Sequence, residues 1–180
     1  MINAYATSGL HDEAETTFQE MLSSGHVPDS LTYHALVRTY TQGGCYSKAE
    51  EAIQTMRRSN ITPSSLHFNH LIFAYLKEGQ IDEARRICSQ MQDAGVAADL
   101  ACCRTMMRAY LEHGRVVEGI SLFETTCRSL KPDSFILSAA FHLYEHSGRE
   151  SEAGDVLDAI SLHGASFLRN LKVGSKLTAT

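Results

Sequence analysis

Glycine recurs at Gly9, Gly44, Gly79 and Gly114, each 35 residues after the last, and again at Gly148 after a step of 34. A fixed step of this size is the mark of stacked small units rather than one closed core, and it constrains the fold before any secondary structure is assigned. Other positions keep the same register. Tyr5, Tyr40, Tyr75, Tyr110 and Tyr144 sit four residues before those glycines, and Ala14, Ala49, Ala84, Gly119 and Ala153 sit five after them, small residues where two helices must approach closely. Met21, Met56 and Met91 repeat at that step, with Thr126 and Ile160 in the matching slots.

Within one unit, Thr32 to Gln42 places Tyr33, Leu36, Val37 and Tyr40 at helical spacing. Gly43-Gly44 breaks the pattern, and Ser47 to Arg58 resumes it with Ala49, Ala52, Ile53 and Met56. Each unit therefore predicts a helix hairpin. Second helices are expected to open on a capping residue with acids in the first turn, as at Asp12-Glu13 and Asp82-Glu83, and Pro28, Pro63 and Pro132 mark the exits. A single hairpin cannot bury its apolar faces, so the expected fold is all-α: a right-handed α-solenoid of about five stacked helix-turn-helix repeats, with the first helix of each unit on the concave surface. The array spans residues 1–168, divided as 1–29 (lacking its first residues), 30–64, 65–99, 100–133 and 134–168, with a C-terminal tail at 169–180. The first unit begins part-way through a helix, so the chain reads as a fragment of a longer array.

Composition excludes several classes. No apolar run reaches the roughly 18 residues of a membrane span. Acids at Asp12, Glu13 and Glu15 precede the first arginine, Arg38, so no targeting peptide is expected in this chain. Five cysteines without a C-x-x-C spacing fit reduced thiols packed between helices. The net charge of -5 weighs against strong binding to a phosphate backbone, which normally leaves a basic footprint.

The tetratricopeptide repeat is the near neighbour in length, but this chain has no tryptophan. Instead Thr32-Tyr33-His34-Ala35-Leu36-Val37, Phe68-Asn69-His70-Leu71-Ile72, Val27-Pro28-Asp29 and Phe18-Gln19-Glu20-Met21 resemble the pentatricopeptide repeat motif, and unit lengths of 35, 35 and 34 resemble its pure 35-residue class. The resemblance implies a single-stranded RNA partner, read at one base per repeat by the fifth residue of a unit together with its last, while the second residue packs on the base. It implies organellar transcript processing, stability or translation, hence a mitochondrion or chloroplast. On this pattern Asn69 with Asp99 matches a pair that favours uracil, Leu66 takes the packing slot as Leu31 does one unit earlier, and Lys77 stands where a phosphate-facing lysine is common. His34 with Ser64 and Arg104 with Asp133 fit the positions but not the usual pairs, and Ser138 would pair with Leu168. Stacking and edge contacts contribute ~1 to 3 kcal/mol per base against an association cost of at least ~4 kcal/mol, so four readers alone bind weakly. The alternative is a protein-binding scaffold of tetratricopeptide-like type; a basic concave surface would favour RNA, an acidic or apolar one the scaffold.

No catalytic residue, cofactor, metal ligand or small-molecule substrate is assigned. His142-Leu143-Tyr144-Glu145-His146 matches a zinc-peptidase string, but Tyr144 is the repeat's own tyrosine and no downstream acidic residue lies far enough away to be the third ligand. His11-Asp12-Glu13 echoes a deaminase H-x-E without its P-C-x-x-C partner. His67 and His70 stand one turn apart and are expected as unpaired surface or groove histidines.

Overall fold

A computed structural model describes residues 11–126 and 130–174, with side chains described as far as residue 162. Tyr5, Gly9 and Cys127 thus lie outside the described residues. Nine α-helices and no strand occur among the residues described: α1 (His11–Ser23), α2 (Ser30–Gln42), α3 (Tyr46–Arg58), α4 (Ser65–Lys77), α5 (Ile81–Asp93), α6 (Leu100–Glu112), α7 (Val116–Thr125), α8 (Ser134–His146) and α9 (Glu150–Gly174). The chain divides into two compact units, Met1–Ala98 and Asp99–Thr180. In the first, α2 packs on α1, α3 and α4, and α4 packs on α3 and α5. In the second, α6 packs on α7 and α8, and α8 packs on α7 and α9. Each unit is therefore built from hairpins whose first helices also touch one another.

The period has a backbone cause. Gly44, Gly79, Gly114 and Gly148 all have positive φ, between 64° and 73°, the left-handed region that costs a Cβ-bearing residue ~1 to 2 kcal/mol. The residue after each glycine then donates its N–H back to the carbonyl of the repeat tyrosine: Cys45 to Tyr40, Gln80 to Tyr75 and Arg115 to Tyr110 at 2.8 Å, Arg149 to Tyr144 at 3.0 Å. That is the six-to-one bond of a Schellman turn, and it fixes tyrosine and glycine four residues apart. The exits of the second helices repeat the device, with His26, Ile61 and Val96 donating to the carbonyls of Met21, Met56 and Met91 at 3.0 Å.

Side-chain caps fall on the first helices, not on the second as expected. Asp29, Asp99 and Asp133 cap α2, α6 and α8, accepting from the backbone N–H groups of Thr32, Cys102 and Ile136 at 2.8, 2.8 and 3.0 Å. The N-cap residues of α3, α5 and α7 are Cys45, Gln80 and Arg115, none with a side-chain cap bond, because each is also the last residue of the Schellman turn before it. The first-turn acids Asp82 and Glu83 still face the positive end of α5.

Ala14, Ala49 and Ala84 are completely buried in the small-residue slot, and a Cβ at Gly119 would sit 2.6 Å from Leu143 Cδ1, so the slot sets how closely helices approach. Leu36, Ile72, Met106 and Leu143 are among the fully buried side chains of the first helices, each contributing ~1.5 to 3 kcal/mol. No proline interrupts α9, which continues past Leu168 through the boundary expected there, as far as Gly174; residues 175–180 lie outside the described residues.

Candidate functional site

Burial on the first helices leaves one stripe for function. Counting from the first residue of each unit, the seventh, tenth and eleventh positions are buried in α4, as Leu71, Ala74 and Tyr75, and in α6, as Met106, Ala109 and Tyr110. The second, fifth, ninth and thirteenth positions remain, spaced i, i+3, i+7 and i+11 on one helix face. On α2 this face presents Leu31, His34 and Arg38, and on α4 Leu66, Asn69, Phe73 and Lys77. Leu31 is 61% exposed, Leu66 56% and Phe73 61%, whereas Asn69 is half-buried. Lys77 is exposed in the last turn of α4, where the helix dipole favours a cation.

His34, which the resemblance pairs with Ser64 in reading a base, is engaged by a different residue. Its Nε2 lies 2.9 Å from Nε2 of His70, one helix over, with ring centroids 5.0 Å apart. One ring must donate and the other accept, so the accepting ring is neutral. Burial comes first, and then the neighbouring imidazole and Arg38, in pushing the His70 pKa down to about 4; burial and His67 hold His34 below the usual range. Ser64 is instead engaged by His67. The backbone N–H of Ser64 donates to His67 Nδ1 at 3.1 Å, which leaves the proton on Nε2 to donate to the Ser30 carbonyl at 3.1 Å. His67, only 1% exposed, thus ties the start of α4 to the start of α2. The expectation of unpaired groove histidines is corrected on both counts, because hairpin stacking brings partners that are 36 and 37 residues distant.

In the second unit Arg104 and Asp133, the fifth and last residues of one repeat, do come together as an ion pair. Burial opposes ionisation of Asp133, but the Ile136 N–H and the Arg104 guanidinium hold its pKa below the ordinary carboxylate value. Asn69 belongs to the first unit and Asp99 caps α6 in the second. Ser138 is exposed on α8, and the side chain of Leu168 lies outside the described residues. The face also carries residues that the sequence reading passed over: Arg38, Phe73, Arg108 and Phe135, with the Arg108 guanidinium 5.3 Å from the centre of the Phe135 ring. Their signal was the same 35-residue step.

Charge is unevenly distributed among the helices. The first helices α2, α4, α6 and α8 carry Arg38, Lys77, Arg104 and Arg108 against two acids, Glu112 and Glu145. By contrast α1 carries Asp12, Glu13, Glu15 and Glu20 with no lysine or arginine. Some bases outside the first helices are bound to acids, Lys48 to Glu15 at 2.5 Å, Arg86 to Glu50 at 2.7 Å and Arg149 to Glu124 at 3.0 Å, while Arg57 and Arg58 stand exposed in the last turn of α3. The repeat tyrosines join this ladder, Tyr75 donating to Glu50 at 2.6 Å and Tyr144 to Glu124 at 3.1 Å. In the zinc-peptidase string, His142 and Glu145 lie 3.5 Å apart on the surface of α8, while Leu143 and Tyr144 are core residues. Among the described residues no group of three or more His, Cys, Asp or Glu side chains is placed to hold a metal ion, and no helix is long and apolar enough to cross a membrane.

Residues 2–131 match a family model described as the pentacotripeptide-repeat region of PRORP. No curated protein matches the chain. Among solved structures, the pentatricopeptide repeat protein PPR10 from maize superposes with a TM-score of 0.67 at 25% identity, covering 92% of this chain and 24% of that one. PPR10 in complex with an 18-nt psaJ RNA element gives 0.64 at 25% identity over 91% and 24%. The chain thus spans about a quarter of the length of PPR10. The PPR domain of Arabidopsis thaliana protein-only RNase P 1, in complex with tRNA, gives 0.66 over 80% of this chain and 79% of that one, at 11% identity, a likeness of fold alone.

Proposed function

The chain belongs to the pentatricopeptide repeat family, with the all-α helical repeat solenoid of that family, and on that premise we propose that it is a single-stranded RNA-binding module. Its partner is RNA rather than a small molecule, and its role is to hold a transcript rather than to cleave it. The observation that carries this reading is the net positive charge of the first helices. A net charge of -5 argues against RNA only if it is spread evenly, and here the first helices hold four basic side chains against two acids. Support also comes from PPR10, which resembles this chain and was solved in complex with an 18-nt RNA element.

Within this reading Leu31 and Leu66 pack on bases, their exposure having no structural return in the chain itself. Asn69 and Asp99 select uracil. Lys77 faces phosphate. Arg104 already satisfies Asp133, so a base at that repeat must share or displace an ion pair, which weakens reading there. The organellar setting, and action in processing, stability or translation, follow from family resemblance.

The test is fluorescence anisotropy with a labelled random single-stranded RNA pool over a range of salt. With two or three phosphate contacts the log–log salt slope is about -1.4 to -2.1. The Arg38→Glu, Lys77→Glu double variant should lose binding while keeping its helical circular dichroism. Binding that ignores both salt and the double variant, or no binding at high protein concentration, would sink the proposal.

A further inference from the structure

The ninth residue of every complete repeat carries a flat π-system: Arg38, Phe73, Arg108 and His142. This position lies one turn beyond the fifth and two beyond the second on the same helix face. Its side chains are not core residues. Phe73 is 61% exposed, Arg108 is exposed, and the His142 side chain is 53% exposed. An exposed phenylalanine alone would mean little, since single apolar residues are common on surfaces. Two further observations distinguish this one. Asn69 and Lys77 flank it one turn before and one turn after on α4, an amide and a cation on either side of a ring. In the second unit the same position is already part of a stack, Arg108 lying over Phe135, the second residue of the next repeat.

We infer that the ninth position is a second stacking position of the repeat, which takes a nucleobase on its flat face, and at Arg108 does so beside Phe135, the second residue of the repeat that follows. The inference rests on the RNA-binding reading above. Guanidinium, phenyl and imidazole groups share no hydrogen-bonding pattern, but all are planar, and stacking on a base asks only for a plane. The ninth position therefore contributes affinity without choosing the base, leaving selection to the fifth and last residues. Arg108 and Phe135 form the most complete platform because the cation already lies against the ring it would share with a base.

The experiment compares Phe73→Ala, Phe73→Tyr and Arg108→Lys with the wild-type chain by anisotropy on a labelled oligouridine and a labelled oligoadenosine. Phe73→Ala should weaken both RNAs by about 5-fold or more, by an equal factor, while Phe73→Tyr stays within about 2-fold. Arg108→Lys keeps the charge and loses the plane, so it should weaken binding several-fold without changing the salt slope. Because these side chains are exposed, none of the variants should alter the helical circular dichroism. If the wild-type chain binds and both Phe73→Ala and Arg108→Lys bind equally well, the stacking inference is wrong and the RNA reading stands. A wild-type chain that binds neither RNA overturns both.

Discussion

His70 shows how far a single side chain can depend on stacking. Its pKa of about 4 lies below the ordinary 6.5, so between those values the unfolded chain binds more protons than the folded one. Stability is therefore full above about pH 6.5 and falls as the pH drops towards 4, a window above the one in which Asp133 and Glu50, held below their ordinary values, lose their charge. Thermal melts should show Tm declining by several degrees across that window, and His70→Gln should flatten the slope. A wild-type Tm constant from pH 7 to 4.5 would contradict the buried neutral pair. Asp133 offers a second test, because it is both cap and ion-pair partner. Asparagine caps as well as aspartate, and an ion pair this exposed contributes under ~1 kcal/mol, so Asp133→Asn should be nearly neutral while Asp133→Ala costs ~1 kcal/mol in urea unfolding. Equal losses in both variants would assign the stabilisation to the charge instead.

At the scale of helices, the hairpin was legible in the letters because its two breaks use residues that few others replace. A left-handed residue must follow each helix, and glycine meets that need at Gly44, Gly79, Gly114 and Gly148. Gly79→Ala has open space around its Cβ but keeps φ at 72°, so it should cost ~1 kcal/mol through backbone strain alone, measured as a shift in the urea midpoint. An unchanged midpoint would show that the turn relaxes. The caps were less legible. Asp29, Asp99 and Asp133 stand at the end of one repeat by the count of the period, yet serve the first helix of the next, and only hydrogen-bond geometry tells the two roles apart. The His34–His70 contact was not legible either, since its separation of 36 falls one residue off the period and no register position announces it.

For the whole chain, the sequence points to a fold and to a partner that a net charge of -5 opposes. The opposition came from treating charge as one number. Position divides it, with Asp12, Glu13, Glu15 and Glu20 on α1, Arg38, Lys77, Arg104 and Arg108 on first helices and Arg57 and Arg58 in the last turn of α3, and a residue's face cannot be assigned until the helix bounds are known. Photo-crosslinking with single-stranded RNA containing 4-thiouridine, followed by peptide mapping, tests the central claim most directly. RNA adducts should be confined to peptides from α2, α4, α6 and α8, with the α4 peptide that contains Asn69 and Phe73 among them. Adducts on α3, α5 or α7, or none at saturating RNA, would contradict the assignment of the first-helix faces as the RNA-reading surface.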